Sequence, residues 1–289
     1  MKQISKTFNK IKVESNILYI IATPIGNLGD ISIRALKILS SLDVLLCEDT
    51  RITKKLLKNY EIKPPKLIVY NDQSNEKQRQ FIINKIKNSK IKFGLVSDAG
   101  TPLISDPGYK LVKECLRSMI KITHVPGASS LTSSLVLSGL PTHKFFFGGF
   151  LDKGKIKKKK QLENALNLDL TSLWYESPNR LTETLKLIIE INNDALISVL
   201  RELTKLNEEV INGSPSSVYD QIIKKTKLKG EIVLAISNKN KVNYTKEMIL
   251  DLIKQNYSKL STKELALHIS NKTGLPKKII YNSIIKYKS

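Results

Sequence analysis

The sequence predicts an α/β fold of two sheet-containing domains in series, followed by a small helical domain. Three observations carry this. From Leu18 onward, short apolar runs of strand length alternate with segments of helical period in the order strand, loop, helix. The loops after those strands are dense in Gly, Pro, Ser and Asp, as expected where a sheet presents its carboxyl ends to a ligand. The pattern changes character near Pro141 and again near Asn238, which sets expected domains at 15–140, 141–238 and 239–289.

The elements follow in order. Leu18–Ala22 reads as a strand, TPIGNLGD as a turn-rich loop, and Ile33, Leu36 and Leu39 as a helical stripe. Asp43–Cys47 is the next strand, and EDTR leads from it into a helix containing Leu56 and Leu57. A strand at Leu67–Val69, a polar helix at Asn75–Ile86 and a strand at Phe93–Val96 precede the loop SDAGTPLISDPG. There Asp106-Pro107 reads as a cap and first helical residue, with Leu111, Val112 and Cys115 as the apolar stripe. Ile122–Val125 and the helix opened by PGASS complete the first domain.

The second domain is read from a strand at Phe145–Phe147, the basic run LDKGKIKKKKQLENAL, a strand at Leu170–Trp174 and the segment YESPNR. Ser177-Pro178 starts a helix with Leu181, Leu185 and Ile188 inward; Leu196–Leu200, RELTKLNEEV, a start at Ser214-Pro215 and a strand at Glu231–Ile236 follow. In the tail, YTKEMILDLIKQNY and LSTKELALHISNKTGLPKKIIYNSIIKYK read as three short helices resembling a helix-turn-helix unit. Ser261 and Glu264 form a capping box there, and Pro276 opens the last helix.

With 41% hydrophobic and 26% charged residues, the chain is an ordinary globular sequence and not a disordered one. Its 48 Lys and Arg against 26 Asp and Glu leave a formal charge of +22, which attracts polyanions and makes RNA or DNA the first partner to consider. A composition rich in lysine throughout would give the same excess. Cys47 and Cys115 lie in apolar runs and are expected as buried thiols, and the 3 histidines have no zinc spacing. No metal is expected. The basic opening MKQISKTFNKIKVE has no apolar core like a signal peptide, and no run approaches about 18 apolar residues, so no membrane association and a cytoplasmic location are expected.

Neither GxGxxG with its downstream acid nor GxxxxGK[ST] occurs, so nicotinamide and P-loop nucleotides have no support. What remains is a set of loops rich in exposed main chain, TPIGNLGD, DAGTP, SDPG and PGASS. Their Gly26, Gly100, Gly108 and Gly127 permit close approach of backbone to a ligand.

Taken together, LYIIATPIGNLGDISIRAL, CEDTR, LVSDAGTPLISDPG, VPGASS, GLPT, FFFGGFL, YESPNRL, RELTKLNEEV and KGEIVL resemble the ribosomal RNA small subunit methyltransferase I family, from about Leu18 to the end. The resemblance implies a two-domain tetrapyrrole-methylase-like fold. It also implies methyl transfer from S-adenosylmethionine, leaving S-adenosylhomocysteine, to the ribose 2′-hydroxyl of cytidine 1402 in 16S rRNA of the small subunit. It further implies a homodimer and a cofactor seated between the α/β domains. On one side it would meet Pro24, Ile25, Gly26, Asp98, Ala99, Gly100, Ile104, Ser105, Ser129 and Ser130; Tyr175, Asn179, Arg201, Glu202, Leu203, Gly230, Glu231 and Ile232 would complete the site.

A ribose hydroxyl is a poor nucleophile and needs a proton acceptor. The candidates are Asp30, Glu48, Asp49, Asp106, Glu176 and Glu202. Glu48 and Asp49 are favoured as base or orienting pair because CEDTR follows a strand directly. Against them stand ordinary roles: Asp30 and Asp106 as helix caps, Asp49 paired with Arg34 or Arg51, Glu176 orienting Arg180. RNA phosphates are expected at Arg51, Arg180, Lys277 and Lys278, and along a flexible edge at Lys153, Lys155, Lys157, Lys158, Lys159 and Lys160. Trp174 is expected in the core and Tyr175 at the loop edge, stacking on a base or the adenine. Two other functions compete: methylation of a tetrapyrrole or other small molecule, and a non-enzymatic role in ribosome assembly.

Overall fold

The computed structural model describes residues 8, 10–238, 246–257, 260–273 and 275–288. Residues 1–7, the start of the tail segment at Tyr244 and Gly274, where a turn is expected from the sequence, lie outside them. By internal packing the chain forms two compact units. One comprises Met1–Leu137 with Leu200–Val210 and Gly230–Val233; the other comprises Ser138–Val199, Ile211–Lys229 and Leu234–Ser289.

The first sheet contains β1 (Ile17–Ile21), β2 (Val44–Cys47), β3 (Lys66–Val69), β4 (Phe93–Leu95) and β5 (Lys121–Val125), ordered β3-β2-β4-β1-β5 and parallel throughout. A parallel sheet must be covered on both faces, and the period-two alternation of its strands accomplishes this. Leu18, Ile20 and Leu46 pack with Ile82 and Ile86 of α3 (Glu76–Asn88) and with Leu111 and Cys115 of α4 (Tyr109–Arg117). Ile17, Tyr19, Ile21 and Leu45 pack instead with Ala35, Ile38 and Leu39 of α1 (Ile33–Leu39) and Leu57 of α2 (Thr50–Asn59). Cys47 and Cys115 are buried free thiols. Helix α5 (Ser130–Leu137) follows PGAS.

Ser32, Asp49 and Asn75 cap α1, α2 and α3 through their side chains. The cap expected at Asp106 is not there. Helix α4 begins at Tyr109 with Gly108 as its N-cap and no side-chain cap. Leu103 and Ser105 take φ of 74° and 63°, and these turns delay the helix past Pro107. Nor does Asp30 cap α1; it ends a short 3-10 turn, Leu28–Asp30.

The second sheet runs β6-β7-β10-β8-β9, with β6 (Phe145–Phe150), β7 (Thr171–Glu176), β8 (Leu196–Arg201), β9 (Glu209–Gly213) and β10 (Ile232–Ser237). Strand β9 was not expected from the sequence: EVING lies at the sheet edge and carries only two apolar residues. Helices α6 (Lys155–Asn167), α7 (Pro178–Ile191) and α8 (Pro215–Ile223) accompany this sheet, and α7 and α8 open on Pro178 and Pro215 as their sequences predict.

Edge strand β6 contains an irregularity that bears on function. Phe147 is in register with Leu173 and Phe150 with Tyr175, so three residues of β6 advance against two of β7. The extra residue is a bulge at Gly148-Gly149, where Gly149 has φ of 70°. Gly148 lies under the Trp174 ring, and a Cβ there would stand 2.1 Å from its Cζ3.

In the tail, α9 (Lys246–Asn256), α10 (Thr262–Thr273) and α11 (Lys277–Lys288) enclose a core of Ile249, Ile253, Leu265, Ala266, Ile269, Ile280 and Ile284. The capping box forms: Glu264 accepts from the Ser261 amide at 3.1 Å and its hydroxyl at 2.6 Å, and the Glu264 amide donates to Ser261 Oγ at 3.4 Å. No helix among the described residues is long and apolar enough to cross a membrane.

Gly148→Ala forces a methyl into the Trp174 ring and is expected to lower the unfolding free energy by about 1–3 kcal/mol, read as a lower urea midpoint with an unchanged slope.

Candidate active site

Four loops of the first unit leave the carboxyl ends of neighbouring parallel strands and are tied together by main-chain groups. Thr23 and Gly100 exchange two backbone hydrogen bonds, of 2.9 and 3.0 Å, joining TPIG to DAGTP. Thr101 Oγ1 donates to the Ala128 carbonyl at 3.1 Å, adding PGAS. The Asp49 amide donates to Asp98 Oδ1 at 3.1 Å, adding CEDTR. Pro24–Gly26, Asp98–Gly100, Glu48 and Asp49 therefore converge, with Ser129 next to the tied Ala128; Ile104 and Ser105 follow as an exposed continuation of DAGTP. The buried hydroxyl of Thr23 has no hydrogen-bond partner among the described residues.

A further segment of the same unit closes on TPIG. The Asn27 amide donates to Thr204 Oγ1 at 3.1 Å. A Cβ on Gly26 would stand 2.4 Å from Lys205 Cγ and 2.7 Å from Thr204 Oγ1, so only glycine permits this approach. Thr204 and Lys205 were not among the residues the sequence singled out; their position in RELTK was the available signal. Arg201, Glu202 and Leu203 meet Gly230, Glu231 and Ile232 here. The Glu202 amide donates to the Glu231 carbonyl at 3.0 Å, and the Glu231 amide to Glu202 Oε1 at 2.9 Å. Lys205 Nζ bridges the two carboxylates at 2.8 and 3.1 Å. Arg201 Nε binds Glu209 at 3.0 Å.

Electrostatics separates the acidic candidates. Asp49 caps α2 and holds Arg51 at 2.6 Å, and hydrogen bonds from Arg51 draw its pKa down to about 2. Such a carboxylate is a poor base, so of the two residues expected as base or orienting pair Asp49 has the orienting part, held to Arg51. Glu202 is likewise held low, chiefly by Lys205. Glu48 shifts upward, first through burial and then through the charges of Asp98, Asp106, Asp72 and Asp49. Asp98 and Asp106 also rise, both first through burial, although the Ser97 hydroxyl binds Asp106 and opposes its shift. Half-buried Glu48 stands in this acidic neighbourhood.

In the second unit, Glu176 of YESPN is fully committed. Its Oε1 accepts from the Ser177 amide at 2.7 Å and meets Arg180 Nη2 at 2.6 Å; its Oε2 accepts from Thr184 at 2.7 Å and lies 3.8 Å from Lys158 Nζ. Arg180 also donates to Ser177 Oγ at 3.1 Å and to the Leu151 carbonyl at 3.2 Å, so its guanidinium organises YESPN, as the alternative reading of Glu176 orienting Arg180 expects. Lys158 corrects the reading of a continuous exposed lysine edge. It is 0% exposed and binds Glu183 at 3.2 Å, because a helix cannot turn every consecutive residue outward, and Lys158 shares the inward face with Leu162 and Ala165. Lys153, Lys155, Lys157, Lys159 and Lys160 are exposed, as are Lys277 and Lys278 in the tail. Trp174 is buried; Tyr175 is half-buried and touches Phe147 and Phe150. Asn179 sits in the first turn of α7.

Residues 17–218, which carry these loops, match the family model for Tetrapyrrole (Corrin/Porphyrin) Methylases, and this defines the chain as a methylase by class. A crystal structure of uroporphyrin-III C-methyl transferase from Thermus thermophilus complexed with S-adenyl homocysteine shares the fold, with a TM-score of 0.52 at 16% identity over 76% of this chain and 96% of that one. The Ribosomal RNA small subunit methyltransferase I of Rickettsia prowazekii is 43% identical over 275 residues, 94% of this chain and 97% of its own. Its namesake in Thermotoga maritima is 45% identical over 222 residues, 77% of this chain but 98% of its own. The chain belongs to the ribosomal RNA small subunit methyltransferase I family.

Glu176→Ala removes the buried carboxylate opposite Arg180, leaves Lys158 only the half-exposed Glu183, and is expected to cost about 3–5 kcal/mol in urea unfolding. Lys158→Met leaves Glu176 with three donors and is expected to cost clearly less.

Proposed function

We propose that the protein transfers a methyl group from S-adenosylmethionine to the ribose 2′-hydroxyl of cytidine 1402 in 16S rRNA, acting in the cytoplasm as a homodimer. The observation that carries this reading is the 43% identity, over nearly the full length of both chains, to a protein named as a methyltransferase of small-subunit ribosomal RNA. The site of the first unit fits the cofactor. Its buried Thr23 hydroxyl, without a hydrogen-bond partner among the described residues, offers a polar contact, and Glu48, Asp98 and Asp106 supply negative charge, while the nearby Lys205 is already paired with Glu202 and Glu231.

When bound, the cofactor supplies an electrophilic methyl on a sulfonium that loses its charge on transfer. The chain's part is geometric. Main chain of Pro24–Gly26, Asp98–Gly100, Ser129–Ser130, Arg201–Leu203 and Gly230–Ile232 holds the donor, and rigid ties between these loops fix the direction from which the ribose oxygen approaches. Glu48 receives the hydroxyl proton. Its carboxylate combines partial burial with a raised pKa; Asp106 shares the upward shift but takes a hydrogen bond from Ser97 that opposes it, and Asp49, Glu176 and Glu202 are occupied by Arg51, Arg180 and Lys205. Ordinary glutamate is a weak base, and the upward shift brings Glu48 nearer the working pH.

Purified protein is expected to label small-subunit rRNA from radioactive S-adenosylmethionine, with mass analysis locating the methyl on a cytidine ribose. Labelling of a tetrapyrrole only, or cofactor binding without RNA labelling, would replace this reading with one of its two rivals. Glu48→Gln is expected to slow transfer by about 100- to 10,000-fold with S-adenosylhomocysteine affinity retained. Because a protonated Glu48 cannot accept the proton, the wild-type rate is expected to fall with decreasing pH through a midpoint above 4.5.

A further inference from the structure

We propose that Phe147, Phe150 and Tyr175 form a stacking platform for a nucleobase of the RNA strand, with the exposed lysines of α6 holding adjoining phosphates. The proposal rests on the rRNA methyltransferase reading and adds to it the place where the strand is gripped.

In a regular strand, residues 147 and 150 would point to opposite faces. The bulge at Gly148-Gly149 adds the residue that returns Phe150 to the face of Phe147, and both rings then meet Tyr175. Each centroid lies 5.1 Å from that of Tyr175, at interplanar angles of 72° and 57°. The cluster is not core. Phe150 is 60% exposed, and Phe147 and Tyr175 are half-buried. On the other face of the same strand Phe146 meets Trp174 at 5.8 Å, and Gly148 makes room for that indole, so the pair of glycines serves both faces at once. A bulge that carries an aromatic ring outward into solvent is a costly way to make a surface, and aromatic faces open to solvent are what unstacked bases bind.

Charge identifies the occupant. Lys153 follows Phe150 by three residues, a reach of at most about 10–11 Å, and Lys155, Lys157, Lys159 and Lys160 continue along α6. The connection is short and fixed: Asp152 Oδ1 accepts from the Gly154 amide at 2.7 Å, and the Asp152 amide donates to Gln161 Oε1 at 2.8 Å. Aromatic rings beside closely spaced lysines match the alternation of base and phosphate in a single strand. A second copy of this chain, with its own charge of +22, is poorly suited to cover these lysines.

The test compares wild type with Phe150→Leu, Phe150→Tyr and the triple variant Lys155→Ala/Lys157→Ala/Lys159→Ala, using unmethylated small subunits and a single-stranded oligonucleotide of the target sequence. Phe150→Leu is expected to raise the KM for RNA by roughly 5- to 150-fold, the range that loss of one stacked base implies, and Phe150→Tyr to restore it. The triple variant is expected to flatten the log–log salt dependence of oligonucleotide binding by about 2, at roughly 0.7 per lost phosphate contact. An unchanged KM in Phe150→Leu overturns the platform. So does a loss of S-adenosylhomocysteine binding or of dimer in that variant, which would make Phe150 a packing or subunit-contact residue. If the wild type methylates no RNA, the functional reading itself fails; wild-type methylation with an indifferent Phe150 overturns the platform alone.

Discussion

The two hydrogen bonds exchanged by Thr23 and Gly100 are the constraint on which the first unit's site depends. Parallel strands β1 and β4 run side by side, and nothing in a parallel ladder obliges the loops beyond them to stay together. An antiparallel pairing beyond the end of the ladder, which stops at Ile20 and Leu95, does oblige them. With TPIG fixed to DAGTP, Asp98 reaches the Asp49 amide on one side and Thr101 reaches the Ala128 carbonyl on the other. Each bond is worth only about 1 kcal/mol net, yet together they turn four independent loops into one surface. Since most of the groups used are main-chain groups, the side chains of Glu48 and Asp106 are left to set the local charge.

That local charge is opposite in sign to the molecule's. A chain of +22 attracts RNA from a distance, while its site gathers Glu48, Asp98 and Asp106. The folded protein holds protons on these three more tightly than the unfolded chain does. The cluster therefore works against stability at neutral pH, and the penalty is relieved as pH falls through the raised values. A fold selected for stability alone would have paired or removed these carboxylates. Glu48 and Asp49 show how local the control is: neighbours in sequence, they shift in opposite directions because only Asp49 caps a helix and holds Arg51.

Much of this was legible in the sequence for identifiable reasons. Buried parallel strands read as apolar runs, Ser177-Pro178 and Ser214-Pro215 announce helices by local chemistry, and Ser261 and Glu264 form a local box. The failures are non-local. Asp106-Pro107 has the form of a helix start, but two left-handed residues upstream hold the chain in turns until Gly108. Lys158 looks like one of four identical surface residues, and only the partners Glu183 and Glu176, far along the chain, show that it faces inward. Strand β9 owes its existence to a neighbour that supplies hydrogen bonds and not to its own apolar content. Convergence of TPIG with Thr204 and Lys205 spans 177 residues and leaves as local traces a glycine at one end and the RELTK segment at the other.

The motif acids divide by what their partners leave them able to do. Glu176 is buried with four polar partners and Glu202 is held by a lysine and an amide, so both carboxylates serve as fixed points around which YESPN and RELTK are folded. Each compensates the cations and amides packed against it. Asp49 does the same at a helix end. A proton acceptor must meet the contrary condition, partial burial without a permanent cation, since a salt bridge that stabilises the carboxylate also removes its appetite for a proton. Half-buried Glu48 meets it, with burial and neighbouring carboxylates both raising its affinity for a proton, and so it is the one assigned the chemistry.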